Sequence, residues 1–295
     1  MRFASRQAIL IGNTGFLGKA LELQIGSPQV PHVSLTVADH RGLVRSILQS
    51  PVAKTAIESM LDSPLPQDWI FAAGLVDQNR DLAELERINV EAPLRLLQCL
   101  SDSASKTERR LITFGSVLEN RPDIAAVNPY LRSKARLLEA WKLRSQHSPV
   151  KWIHIQLHTL YGGTNPPHPF MFTGQMLAAL RSKANFRMSS GMQLREYHHL
   201  ADITRSIVSL LDAQRETAIP LALSSGDPVR LRDLACAVFN HFDASDLLTI
   251  GARPVADAEV YESAHERSSH LIAYRNPYAG VIDWFESLGV WSGKR

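Results

Sequence analysis

The opening strand and turn constrain this 295-residue chain more than any other stretch. Ala8-Ile9-Leu10-Ile11 is a short apolar run with β-branched members, the pattern of a buried strand. It leads straight into Gly12-Asn13-Thr14-Gly15-Phe16-Leu17-Gly18, whose glycines, three apart, predict a tight turn opening a helix. Such a turn lets backbone come close to a pyrophosphate, and the first amides of a helix beginning near Phe16 favour negative charge. Gly12, Thr14, Gly15, Phe16, Leu17 and Gly18 therefore form the candidate dinucleotide seat.

A chain with such a start needs further strands and a large core, and the composition supplies them. Apolar residues make up 45% and charged residues 21%, as in ordinary globular proteins. The net charge of +3 is small, and no Lys/Arg block laced with aromatics points to nucleic acid. Arg109-Arg110 reads as a solvated loop before a strand. Cys99 and Cys236 lie far apart in apolar helical patterns, as expected of thiols in a reducing compartment. With no signal-like start and no long apolar run, the expectation is a cytoplasmic protein without a membrane span.

Taken in order, Leu17 to Ile25 has a helical apolar face, closed by Pro28 and Pro31. Val33 to Val37 reads as a second parallel strand ending at Asp39, 21 residues beyond Gly18. A carboxylate there suits the ribose hydroxyls of NAD, whereas Arg41 could pair with the 2′-phosphate of NADP; the pattern leans to NAD and leaves both open. A short strand around Leu43 to Leu48 and a helix over Val52 to Leu61 follow. Asp68 to Gly74 is a buried strand whose small end residues, Ala72 and Ala73, would let the nicotinamide half of a cofactor pass close to backbone. Leu82 to Leu100 is a long helix, with Asn89 a polar residue on its core-facing side, suited to holding backbone or water beneath a site.

Arg110 to Ser116 is another strand-to-turn junction, ending in a hydroxyl. Tyr130 and Lys134 then open a helix four residues apart, which puts them on one face. An ammonium beside a phenol favours the phenolate and would lower its pKa towards the range of a general acid–base. Ser116 could donate to the substrate oxygen that the phenol protonates. Trp152 to Leu157 reads as an edge strand, Phe170 to Leu180 as a helix, Leu221 to Gly226 as a late strand and turn, and Leu231 to Phe242 as an amphipathic helix. Asn276-Pro277 precedes a final helix. The histidines match no familiar metal-ligand spacing, so no metal is expected; His158 and His168 could touch substrate.

These pieces together resemble the extended short-chain dehydrogenase/reductases, also called the NAD-dependent epimerase/dehydratase family, in its nucleotide-sugar branch. The resemblance rests on Gly12 to Gly18, Phe71-Ala72-Ala73, Asn89-Val90-Glu91-Ala92, Phe114-Gly115-Ser116 and Tyr130 to Lys134. Leu160-Tyr161-Gly162-Gly163 is similar to the family's Val-Tyr-Gly-Pro turn, and Gly191 to Ile203 to its Gly-x-Gln-x-Arg-Asp-Phe block. It implies an α/β fold: a Rossmann-type doubly wound parallel sheet with a small C-terminal substrate-binding lobe. Residues 1–160 would be the dinucleotide-binding core, and residues 161–295 would return partly to it and form the lobe, closing over the substrate. It further implies NAD or NADP as cofactor, a nucleotide sugar as substrate, and a homodimer through the helices bearing Asn89 and Tyr130. Tyr130 would be the acid–base, Lys134 would tune it and hold the nicotinamide ribose, Ser116 would orient the sugar oxygen, and Arg195 would lie near the diphosphate.

Departures from the family pattern bear on the reaction. The Ser116 to Tyr130 loop is short, Gln156 and Thr159 replace the usual Arg and Asn, and Gly163 replaces proline. Val117-Leu118 stands where the family's dehydratases carry Asp-Glu after the catalytic hydroxyl, which disfavours dehydration. Reduction of a 4-keto sugar is the preferred expectation. A 4-epimerase and a non-catalytic dinucleotide-binding regulator are the alternatives.

Overall fold

The computed structural model describes residues 6–27, 33–38, 44, 47–48, 57, 60–61, 63–103, 107–212, 220–255, 258–261 and 265–290. By contact, the chain divides into two units, Met1–Leu157 with Ile207–Ala222 and His158–Ser206 with Leu223–Arg295.

The first unit is built on a six-stranded parallel sheet. Its strands are β1 (Arg6–Ile11), β2 (Val33–Ala38), β3 (Gln67–Phe71), β4 (Arg109–Ser116), β5 (Lys151–Leu157) and β10 (Leu221–Ala222), in spatial order β10-β5-β4-β3-β1-β2. Near-continuous apolar runs suit a sheet covered on both faces. Ile9, Leu10, Ile11, Trp69, Ile70, Leu111, Ile112 and Ile155 are all fully buried. Strand order reverses at β1, with β2 on one side and β3 on the other, and open parallel sheets bind ligands beyond the strand ends at such a switch point.

Local rules set the helices. The helix α1 (Phe16–Ile25) buries Gly18, Leu21 and Ile25. The long helix expected over Leu82 to Leu100 is broken in register: α2 (Leu82–Glu86) passes through a π turn, Arg87–Glu91, into α3 (Ala92–Ser101). Pro93 has no N–H to give to the carbonyl four residues back, and a wider turn at that point relieves the ladder. After α4 (Pro122–Val127), α5 (Pro129–Arg144) starts where Asn128 caps the Leu131 N–H at 3.1 Å and Pro129 takes the first position. Its Leu137, Leu138 and Trp141 join Ile9, Trp69, Leu96 and Trp152 in one core.

Three expectations are corrected. Val44, Ile47 and Leu48 are helical, so the segment expected to be a strand is not one at these positions. The β5 strand lies between β4 and β10, buried from Trp152 to Leu157, and is not an edge. Arg109 and Arg110 are buried in β4. Arg110 grips both oxygens of Asp68 at 2.6 Å and donates to the Leu211 carbonyl, while Arg6 donates to the same carboxylate at 2.9 and 3.2 Å. A buried carboxylate between two guanidiniums is the reason Arg6 and Arg110 leave water.

The second unit holds three short strand pairs. β6 (Thr159–Tyr161) runs parallel to β9 (Tyr197–His199), β7 (Phe186–Arg187) parallel to β12 (Leu248–Thr249), and β8 (Leu194–Arg195) antiparallel to β11 (Val229–Arg230). Around them lie α6 (Phe172–Ser182), the first turns of α7 (Leu200–Asp212), α8 (Leu231–His241) and α9 (Pro277–Ser287), whose Asn276 caps the Tyr278 and Ala279 N–H groups. No helix among the described residues is long and apolar enough to cross a membrane.

Candidate active site

The carboxyl ends of β1, β3 and β4 bring the first unit's candidate residues together. At the end of β1, Gly12 adopts φ +100°, and a Cβ there would lie 2.3 Å from the Ala73 amide nitrogen. A Cβ on Gly18 would lie 2.0 Å from the Gly12 carbonyl oxygen. Both glycines are thus required by backbone approach, the first to the end of β3 and the second within its own turn. Gly15 differs: it is exposed, it opens α1 without a side-chain cap, and its Cβ would meet only the Gly12 oxygen at 3.4 Å. Thr14 is exposed, Phe16 and Leu17 are half-buried, and Ala72 and Ala73 are half-buried beside the turn. Asp39 and Arg41 lie outside the described residues.

Asn89 is 2% exposed and sits on the π turn with its amide fully used. Its oxygen accepts from the Leu75 N–H at 2.9 Å, and its nitrogen donates to the Leu75 carbonyl and the Ser133 hydroxyl, each at 2.9 Å. It pins the chain just after Ala73 and ties it to α5.

Ser116 ends β4 and caps the short 3-10 turn Val117–Asn120, its Oγ accepting from the Leu118 N–H at 3.3 Å. That leaves the hydroxyl proton for another acceptor. Lys134 is buried, and its Nζ donates to the Phe114 carbonyl at 2.8 Å and lies 5.8 Å from the centre of the Tyr130 ring. Burial pulls the ammonium down to about 8, against the opposing pull of Glu119. Tyr130 departs from expectation: burial first, and the Glu119 charge second, push its phenol above the ordinary value, where the neighbouring lysine was expected to lower it.

Sequence reasoning passed over Glu119 and His154. Glu119 is 4% exposed, and its carboxylate accepts from the Ser116 N–H at 3.0 Å, His154 Nε2 at 2.9 Å and Gln156 Nε2 at 2.8 Å. The signal for Glu119 was present: Ser116-Val117-Leu118-Glu119 has the S-x-x-E spacing of a capping box, and both of its reciprocal bonds form. His154 carried no local signal, since its partners come from β4 and the turn after it.

His158 and Arg195 belong to the second unit. The His158 imidazole is bonded to the Ser224 hydroxyl at 2.9 Å and lies 3.7 Å from Glu196, and burial holds it far below its ordinary pKa, so it stays neutral near pH 7. Arg195 pairs with Glu259. Asp202 stands in the first turn of α7 and takes the Arg275 guanidinium in a fork at 2.8 and 2.9 Å. Among the described residues no group of three or more His, Cys, Asp or Glu side chains is set to hold a metal.

Residues 8–222 match the model of the NAD dependent epimerase/dehydratase family. A search of curated proteins by sequence found no match. Among solved structures, the chain is similar to UDP-glucuronic acid 4-epimerase from Bacillus cereus in complex with UDP-glucuronic acid and NAD, with a TM-score of 0.73, 12% identity, and 96% of this chain and 99% of that one covered. It is also similar to DesIV, a dTDP-glucose 4,6-dehydratase from Streptomyces venezuelae, with a TM-score of 0.70, 15% identity and 96% of each chain covered. RMD from Pseudomonas aeruginosa complexed with NADPH gives a TM-score of 0.68 at 19% identity, covering 96% of this chain and 99% of that one. At these identities the likeness establishes the shared fold.

Proposed function

This chain belongs to the NAD dependent epimerase/dehydratase family, and from that membership we propose that it is an NAD(P)-dependent oxidoreductase reducing the 4-keto group of a nucleotide-linked sugar. The bound dinucleotide supplies the hydride. The turn fits such a group: Gly12 and Gly18 have no room for a side chain, and Gly15 leaves its outer side open at the uncapped start of α1. Gly12, Thr14, Gly15, Phe16, Leu17 and Gly18 would hold the pyrophosphate. Ala72, Ala73 and Asn89 would shape the path of the nicotinamide half, and Lys134, with N–H groups to spare after Phe114, would hold its ribose.

In this reading Ser116 Oγ–H orients the carbonyl oxygen of the sugar and Tyr130 gives it a proton as charge develops there. The observation that supports an acid role is that α5 sets Tyr130 beside Lys134, whose Nζ lies 5.8 Å from the ring centre and bonds the Phe114 carbonyl two residues before Ser116. A reductase begins each turnover with the phenol in its acid form. An epimerase or dehydratase must begin by oxidising the sugar, with the phenolate as base. Val117-Leu118 supplies no acid–base pair for dehydration. Arg195 and His158 are proposed to contact the nucleotide sugar, Arg195 through its fork of donors to phosphate and His158 as a neutral imidazole.

The likeness to 4-epimerases favours a second reading, 4-epimerisation with a retained NAD. Denaturing freshly purified protein and identifying any dinucleotide it releases separates the two. Protein that emerges empty, binds added NADH or NADPH and oxidises it with a nucleotide-linked 4-keto sugar supports the reductase. One equivalent of released NAD overturns it in favour of the epimerase.

A further inference from the structure

In the second unit an acid of the chain itself takes the fork of donors that the nucleotide-sugar reading assigns to phosphate. Arg195 Nη2 donates to Glu259 Oε2 at 2.5 Å, and Nη1 donates to the Leu194 carbonyl at 2.8 Å. Both side chains of the pair are partly shielded from water. They stand 64 positions apart in sequence. They meet because the Leu194 N–H donates to the Val260 carbonyl at 2.7 Å, which lays residues 259–260 beside β8, while β11 pairs with the other flank of that strand.

The Arg195 side of this contact is held in place. Arg195 pairs with Val229 across β8 and β11. The next residue, Glu196, is buried, and its Oε2 accepts from the Ser225 N–H at 2.6 Å, the Ser225 hydroxyl at 2.7 Å and His198 Nε2 at 3.0 Å. The guanidinium therefore offers its donors from a fixed strand, and an exchange of partner has to come from the anion. Carboxylate and phosphate present the same feature to it, a pair of oxygens matched to parallel N–H groups. A partly shielded ion pair of this kind adds little stability, because its Coulomb gain is set against the desolvation of both groups.

We infer that Glu259 sets the affinity of the site for its substrate: its carboxylate competes with the diphosphate of the nucleotide for the Arg195 guanidinium, and residues 259–260 release that guanidinium when the diphosphate binds. This rests on the reading of Arg195 as the diphosphate contact. The two anions exclude each other, since both terminal nitrogens of Arg195 are engaged and like charges brought together at one fork repel. Glu259 thereby screens what enters. A weak, singly charged anion loses to the carboxylate, and the greater charge of a diphosphate displaces it.

The test is calorimetric binding of UDP, dTDP and GDP to the full chain, to Glu259→Gln, Glu259→Ala and Arg195→Gln, and to the double variant Arg195→Gln/Glu259→Gln. Glu259→Gln is expected to tighten binding by about fivefold or more, the scale of an ion pair that no longer has to be broken, and Glu259→Ala to do at least as much, since it leaves no acceptor. Arg195→Gln is expected to weaken binding, and in that background loss of the Glu259 charge is expected to change affinity by less than about twofold. Binding that is unchanged or weaker in both Glu259 variants, with Arg195→Gln still weakened, overturns the inference and leaves the diphosphate reading of Arg195 standing. Tightening that persists in the Arg195→Gln background also overturns it, because the Glu259 charge would then act without that guanidinium. Nucleoside diphosphates that bind neither the parent nor either Glu259 variant overturn the nucleotide-sugar reading and this inference together.

Discussion

Tyr130 and Lys134 stand one helical turn apart and share a face, yet burial drives them in opposite senses: the phenol becomes harder to ionise and the ammonium easier to discharge. Both shifts follow from one cause, the penalty on charge away from water. The pair was legible in the sequence from its spacing, and so was the helix start, set by Asn128 and Pro129. The sign of the phenol's shift was not, because it depends on burial and on Glu119, which stands eleven positions before Tyr130 in the turn after β4. Tyr130→Phe is expected to lower turnover by about 100- to 10,000-fold, the usual worth of a placed general acid, with dinucleotide affinity little changed. Steady-state kinetics with fluorescence titration of NADH or NADPH checks both; a variant that turns over at the parental rate would show that Tyr130 is not the general acid.

At the scale of elements, the π turn around Asn89 shows how a helix can be legible while its detail is not. Apolar spacing gives a helix from Leu82 onward, and Pro93 marks where the ladder must give, but only the fold reveals that Asn89 closes three bonds onto Leu75 and Ser133. Asn89→Ala leaves the Leu75 N–H and carbonyl unpaired, and an unsatisfied buried group costs roughly 1–3 kcal/mol. The expected outcome in urea unfolding is a loss of about 2–4 kcal/mol, together with weaker dinucleotide binding as the Ala72-Ala73 segment loosens. The parallel strands were readable as apolar runs. The burial of Arg109 and Arg110 was not, since the partner of Arg110, Asp68, lies 42 residues away and an arginine pair beside a polar stretch looks solvated until its carboxylate is found.

For the whole molecule, Lys134 links stability to pH. Its ammonium titrates at about 8 in the folded chain against an ordinary 10.5. Between those values the unfolded chain binds the extra proton, so stability should rise with pH from about 8 towards 10, and the penalty is fully present below 8. Lys134→Met is expected to abolish that rise and to stabilise the dinucleotide-free protein near pH 7 by about 3 kcal/mol at most, one pKa unit being about 1.4 kcal/mol. Denaturant midpoints of parent and variant at pH 7, 8, 9 and 10 give the difference curve, in which the tyrosines common to both cancel. A flat difference would show that Lys134 titrates normally.

The three buried charges Arg6, Asp68 and Arg110 come from β1, β3 and β4, three strands that are neighbours in space but separated by 62 and 42 positions in the chain. Losing the acid alone strands two cations, so Asp68→Asn should cost about 3–5 kcal/mol in chemical unfolding. An all-apolar replacement of the three should restore most of that. Side chains alternate between the two faces of a sheet, so sliding any of these strands by one residue would carry its charge to the opposite face. Apolar residues repeated along β1, β3 and β4 could tolerate such a slip; a carboxylate shared by two guanidiniums cannot. The triad therefore acts as a tally mark across the sheet, admitting one alignment, and it is this alignment that sets Ile11 beside Phe71 and Phe71 beside Thr113, so that glycine turn, alanine pair and serine all follow at the same edge of the sheet.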